Sequence, residues 1–214
     1  MTEHNTRRSS VERRAQIISD ILSPILVPTI AMTLAMWVTS LRVLPERSRL
    51  IATLIIFAVT GIIPLVAIII LQRLGLVSDN SISIRSQRPL PMTITMLCYL
   101  GAGLLLRSMH APLWLQCFFY GAGIAAGISV VITWFWKISA HTLAMGGLVG
   151  MLLWFAVEGL ADVNAMAILS IGIVVAGGVG TCRLILNRHT LGQVIAGLLL
   201  GFCCTFGTTW LICQ

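Results

Sequence analysis

Residues 137–157 read KISAHTLAMGGLVGMLLWFAV. From Ala140 to Val157 the stretch holds no Asp, Glu, Lys or Arg and is dominated by Leu, Met, Gly and Ala. A helix needs about 20 predominantly apolar residues to cross a bilayer. The stretch therefore reads as a membrane-spanning helix. Directly before it and in its first turn stand Lys137, Ser139, His141 and Thr142. Polar and charged groups at the edge of a bilayer are costly and are seldom clustered without a use.

Six further stretches have the same character. The full set is roughly 17–41, 50–71, 90–106, 112–136, 140–157, 164–182 and 190–212. The first contains Asp20, Pro24 and Pro28, so a kink or a late entry into the membrane is expected there. It is too long for a signal-peptide core, and no A-x-A cleavage pattern follows it. The expected fold is all-α: a polytopic transmembrane bundle of six to seven spans. A polar tail, 1–16, precedes a single transmembrane domain, 17–214. No internal repeat is evident, so the inverted-repeat layout of many transporters is not indicated. Trp37, Trp114, Trp134, Trp136, Trp154 and Trp210 fall near proposed span ends, as an interfacial aromatic belt would. Gly123 and Gly127, Gly197 and Gly201, and the cluster Gly146, Gly147 and Gly150 predict close helix packing.

Composition excludes other classes. The chain is 57% hydrophobic and 10% charged, against about 25% charged residues in a soluble domain. The net charge is +7. Lys137 is the one lysine; every other basic residue is arginine. These arginines sit at the ends of apolar runs rather than along a polar helix, which argues against nucleic acid as a partner. No cysteine pair has CxxC spacing, so neither a metal site nor a disulfide framework is indicated, and no cofactor is expected.

Three polar islands interrupt the apolar background: Arg85 with Arg88-Pro89, Lys137 to Thr142, and Arg183 to Gln193. With seven spans all three fall on one membrane face, together with the N-terminal tail. Five cations, a serine and two histidines on one face describe a phosphate site. Ser139, Ala140 and His141 open a helix, whose first N–H groups lack internal partners and sit at the positive end of the dipole. The bland reading of Ser139 is a helix N-cap. His189 and Gln193 are four apart; read on one helix face, the amide oxygen of Gln193 would fix one ring nitrogen of His189 and aim the other outward as a nucleophile. Arg183 lies six residues before His189, about 120° round a continuous helix. For both to reach one phosphate the helix must break, and Asn187-Arg188 is the expected place. Arg85 and Arg88 would share a face if helical, and guanidinium forks match phosphate oxygens.

These residues resemble the signature of the type 2 phosphatidic acid phosphatase superfamily, in the form of its short bacterial membrane members. Arg88-Pro89 is similar to the end of a Lys-x6-Arg-Pro element. Ser139-Ala140-His141 is similar to Ser-Gly-His, and Arg183-x5-His189 to the Arg-x5-His of the third element. The likeness covers roughly residues 73–201. It implies a metal-independent phosphatase-like core in which His189 is the nucleophile and His141 the acid. Arg88, Ser139 and Arg183 would hold the phosphate; Arg85 and Lys137 are candidates for the missing first-element lysine, whose position is Ser81. Ala140 stands for a glycine, Cys182 for a serine, and Gln193 for the aspartate that supports the nucleophile. Asp79 and Asp20 are the nearest acidic substitutes on that face.

The expected substrate is a lipid phosphate or a polyprenyl diphosphate, drawn from the surrounding membrane lipids. Two rival readings stay open: a lipid-phosphate binding or transport protein, and a lipid phosphotransferase. Ten of the fourteen basic residues lie on the island face, but five of them belong to the proposed site. Charge alone therefore does not orient the chain. The resemblance implies a bacterial inner membrane with the site on its periplasmic face.

Overall fold

The structure, a computed structural model, describes residues 2–78 and 84–214, and side chains from Ser10 onward. Ser81 and Asp79 lie outside the described residues. Among those described, the elements in order are α1 (Thr2–Ile21), α2 (Val27–Val38), α3 (Glu46–Phe57), α4 (Ile63–Arg73), α5 (Pro89–Ser108), α6 (Leu113–Thr133), α7 (Ala140–Val157), α8 (Ala165–Ile185) and α9 (Leu191–Cys213). Helices α3 and α4 are one rod joined by a π-helical turn, Ala58–Ile62. Pro64 follows that turn, and a proline without an N–H forces such a shift in hydrogen-bond register. Among the described residues six helical segments are long and apolar enough to cross a membrane: Glu46–Arg73, Arg85–Ser108, Leu113–Thr133, Ala140–Val157, Ala165–Ile185 and Leu191–Cys213. The protein is an integral membrane helical bundle.

The stretch 17–41 is not one of these spans. The helix that begins at Thr2 ends at Ile21. The chain then turns, with the N–H groups of Leu26 and Val27 donating to the Ser23 carbonyl. Pro24 inside this turn has no N–H to continue a helix. Helix α2 has 12 residues, about 18 Å long at 1.5 Å per residue, and falls short of the roughly 30 Å hydrocarbon core. It packs on α3 and α7. At its far end the Asp162 N–H donates to the Val38 carbonyl, and Arg42 pairs with Asp162 at 2.8 Å.

The bundle is organised around α7 and α9. Lipid tails are as apolar as leucine, so helices associate through close packing rather than through hydrophobic expulsion. Gly146 and Gly201 allow that approach: a Cβ on either would run into main-chain atoms, of Leu198 and Leu143 respectively. Thr205 on α9 donates to the Gly147 carbonyl of α7 at 3.1 Å. Helix α7 is accordingly the most enclosed of the six. Trp154 belongs to this core and not to the interfacial belt. It is 3% exposed and makes edge contacts with Phe206 and Trp210. Trp134, Trp136 and Trp210 are exposed as the belt requires.

Candidate functional site

The three polar islands meet. One cavity of about 310 Å³ is lined by Arg88 from the start of α5, Ala140 and His141 from the first turn of α7, Arg183 from the end of α8, and His189 from the α8–α9 connection. Each reaches it for a local reason. Helix α8 stops at Ile185, and Asn187 adopts a left-handed φ of 51°, which asparagine tolerates better than most residues. The break falls where the six-residue spacing requires it. The Arg188 N–H folds back to the Arg183 carbonyl at 3.2 Å, and His189 comes round beside Arg183.

His189 precedes α9 rather than riding on its face, which corrects the helix-face reading. Thr190 is the N-cap, and Gln193 is the third residue of the helix; together they form a capping box. The Gln193 side-chain oxygen accepts from the Thr190 N–H at 3.3 Å and meets His189 Nδ1 at 3.0 Å. An atom that accepts from a main-chain N–H is the amide oxygen, so Nδ1 carries the hydrogen. Nε2 is left with its lone pair available. The pattern Thr-x-x-Gln is itself a sequence signal for a helix start.

His189 is 8% exposed. Burial pushes its imidazole down to about 4; the Gln193 hydrogen bond opposes that shift, and the charges of Arg88, Arg183 and Lys137 add to it. The ring is therefore neutral at pH 7. Asp20 is not among the groups acting on His189. It lines the cavity from α1 and acts on Arg183 instead.

The arginines differ in use. The turn Arg85–Gln87 is a 3-10 helix, and both Arg85 and Arg88 reach the connection between α6 and α7. Arg85 Nη1 donates to the Phe135 carbonyl at 2.7 Å, and Arg88 Nη1 to the Ile138 carbonyl at 3.2 Å. Arg88 is buried and faces the cavity, whereas Arg85 is exposed and outside its lining. Arg183 is 8% exposed, and its Nε is buried with no hydrogen-bond partner among the described residues. A buried guanidinium donor without a partner is costly and suits an anion oxygen.

Ser139 and Lys137 are likewise outside the lining. Ser139 is fully buried and acts as the N-cap of α7, its hydroxyl accepting from the Thr142 N–H at 3.5 Å. Its own N–H donates to the Gln193 carbonyl at 3.4 Å, tying the start of α7 to α9. Lys137 is half-buried.

Below the polar end the cavity runs between α5, α6, α7 and α9. It is walled by small and apolar side chains, among them Ala122, Ala125, Ala126, Ala144 and Gly147, and it reaches Thr205. Sequence reasoning named Asp20 on this face but missed the rest of the α1 side. Gln16 and Asp20 line the cavity, and Ser19 on the same turn is fully buried. Gln16 and Ser19 carry no sequence signal for such a position.

Comparison with curated proteins and with solved structures returns no match. A family model, described as the PAP2 superfamily, matches residues 129–213. The match takes in Ser139, His141, Arg183, His189 and Gln193, while Arg88 and all of α1 lie before it. The part of the chain that carries both histidines therefore matches the PAP2 superfamily, the family whose signature the polar islands resemble.

Proposed function

We propose that the protein hydrolyses a lipid phosphate or diphosphate through a phosphohistidine intermediate on His189. The carrying observation is the two-part cavity: Arg88, His141, Arg183 and His189 at one end, and an apolar channel of small side chains below. Such a shape suits an amphiphile whose phosphate meets the cations and whose hydrocarbon lies inside the bundle. Neutral His189 attacks phosphorus with the Nε2 lone pair. The P–O bond to the lipid breaks, and His141 delivers a proton to the departing oxygen, which leaves as an alcohol or, from a diphosphate, as the lipid monophosphate. Water then attacks the phosphohistidine, His141 takes its proton, and inorganic phosphate leaves. Arg88 and Arg183 carry the charge that develops on the phosphoryl oxygens. The chain works in a bacterial inner membrane, with its site on the periplasmic face.

Purified protein is incubated with phosphatidic acid and with a polyprenyl diphosphate, and inorganic phosphate is measured. Release above the background of the His189→Ala variant is the expected result. Binding without release would make this a lipid-phosphate binding protein. Phosphate recovered on a second lipid would make it a phosphotransferase.

A further inference from the structure

Arg88 and Arg183 are the cations in the cavity lining, and Asp20 is its one acidic residue among those described. Asp20 sits in the last turn of α1, which holds no basic residue. The C-terminal end of a helix is the negative pole of its dipole, so carboxylate and helix end add negative potential on the same side. One turn earlier the Gln16 amide nitrogen donates to Asp20 Oδ1 at 2.7 Å and is thereby turned to the carboxylate rather than to a ligand. Helix α1 packs against α8, which carries Arg183. After Asp20 the lining continues through Pro24, Val27 and Pro28. The carboxylate therefore stands where the polar end passes into the apolar channel. The hydroxyls of that wall are already committed. Thr95 donates to the Pro91 carbonyl at 3.0 Å, Tyr99 to that of Pro24 at 2.9 Å, Ser129 to that of Ala126 at 2.7 Å and Thr205 to that of Gly201 at 2.9 Å. A hydroxyl has a single hydrogen, so these side chains present only lone pairs to a ligand. Ser23 is the remaining hydroxyl of the wall.

We propose that the site takes lipid monophosphates and excludes lipid diphosphates, with Asp20 as the specificity-determining residue. This rests on the phosphatase reading above. The phosphoryl group to be transferred lies between His189 and the two arginines. In a monophosphate it is followed by the ester oxygen and then by hydrocarbon, which suits the apolar wall. In a diphosphate a second phosphoryl group comes between the two, with its own negative charge and acceptor oxygens. It would meet the Asp20 carboxylate and hydroxyls whose hydrogens are spent on main-chain carbonyls. A charged group taken into an apolar setting without donors is costly, and a like charge beside it adds repulsion. An unfavourable element aimed at the wrong ligand discriminates as well as a favourable one aimed at the right ligand.

The test compares farnesyl phosphate with farnesyl diphosphate, which share one hydrocarbon chain. Initial rates of phosphate release by the purified full chain give kcat/KM for each. The wild-type protein is expected to favour the monophosphate by about 10²-fold, in line with the cost of placing like charges together. Asp20→Asn keeps the shape of the side chain and removes its charge. The preference is expected to shrink about tenfold in this variant, through a faster rate on the diphosphate. Where Asp20→Asn does not fold, added salt serves on the wild-type protein: Asp20 is exposed, so its charge is screened, and the preference is expected to narrow about threefold. A preference that moves in neither experiment overturns the proposal. A wild-type protein that hydrolyses the diphosphate as fast as the monophosphate, or faster, overturns it too and leaves the phosphatase reading standing. Release of phosphate from neither substrate overturns the phosphatase reading and this inference with it.

Discussion

His189 Nδ1 and the Gln193 side-chain oxygen lie 3.0 Å apart, across a helix cap rather than along a helix face. The pair fixes the tautomer but brings no negative charge to the imidazolium that forms when the phosphoryl group leaves. Replacing Gln193 with Asp supplies that charge. Attack needs the neutral ring, so activity falls as the pH drops through about 4, where His189 gains its proton. A carboxylate favours the protonated ring, so in Gln193→Asp this acid limb moves to higher pH. At neutral pH the rate is expected to rise about tenfold, or roughly 1.4 kcal/mol of barrier. Gln193→Leu, which fixes no tautomer, is expected to lose at least tenfold. A pH–rate profile of the three proteins decides the matter; an unmoved acid limb in Gln193→Asp would show that His189 is not the titrating nucleophile.

Among the described residues Arg183 Nε has no hydrogen-bond partner, and it is buried next to the cavity. Lysine would retain the charge and lose the planar fork. Arg183→Lys is expected to lower kcat/KM by about 10²-fold, in the range seen when one donor to a developing oxyanion is removed. Arg85 is exposed and spends its guanidinium on the Phe135 carbonyl, so Arg85→Lys is expected to stay within about threefold, since substitutions at exposed sites are mostly small in effect. Steady-state kinetics on both variants checks the contrast. Equal losses would return Arg85 to the phosphate site.

The polar islands were legible because charge in lipid is expensive and therefore conspicuous. The break after α8 was legible for a geometric reason: Arg183 and His189 could not face one ligand from a continuous helix, and Asn187 tolerates the left-handed turn. The role of Gln193 was half legible. Its partner was read correctly, while the capping pattern of Thr190 and Gln193 was passed over in favour of helix spacing. The part α1 plays in the cavity wall was not legible beyond Asp20, because Ala15 and Ser19, which bury its inner face, are residues that suit many environments. Trp154 misled for a related reason: a tryptophan near a span end suits a belt or a core equally, and here the aromatic cluster with Phe206 and Trp210 holds it inside.

The two histidines should separate kinetically. His189→Ala is expected to abolish turnover and any acid-labile phosphoenzyme, because in the proposed mechanism its Nε2 is the attacking atom. His141→Ala is expected to slow phenyl phosphate by about 10²-fold or more, the range for losing a general acid, and 4-nitrophenyl phosphate far less. Rapid quench with labelled substrate reads both. Phosphohistidine trapped at position 141 would reverse the assignment.

In the proposed mechanism charge stabilisation comes from Arg88 and Arg183; no group of three His, Cys, Asp or Glu side chains that could hold a metal ion occurs among the described residues. Phosphate release is expected to survive an excess of chelator. Loss of activity with chelator and its return with magnesium would require a metal-dependent route in place of the histidine pair.

The channel below the site should read chain length. Ala122 lies in its wall, half-buried on α6. Ala122→Leu adds three carbons to that wall, where a hydrocarbon chain would lie. Close-packed interiors register even one extra methylene. For dodecyl and longer alkyl phosphates kcat/KM is expected to fall about tenfold, which matches the roughly 1–3 kcal/mol that a methylene-sized mismatch costs in an apolar pocket. Butyl phosphate, too short to pass the polar end, should be hydrolysed at the wild-type rate. Loss carried in KM with kcat intact would identify the channel as a binding site for the chain. Equal losses on butyl and dodecyl phosphate would mean that the chain lies outside the bundle, among the membrane lipids, and that the cavity holds only the headgroup.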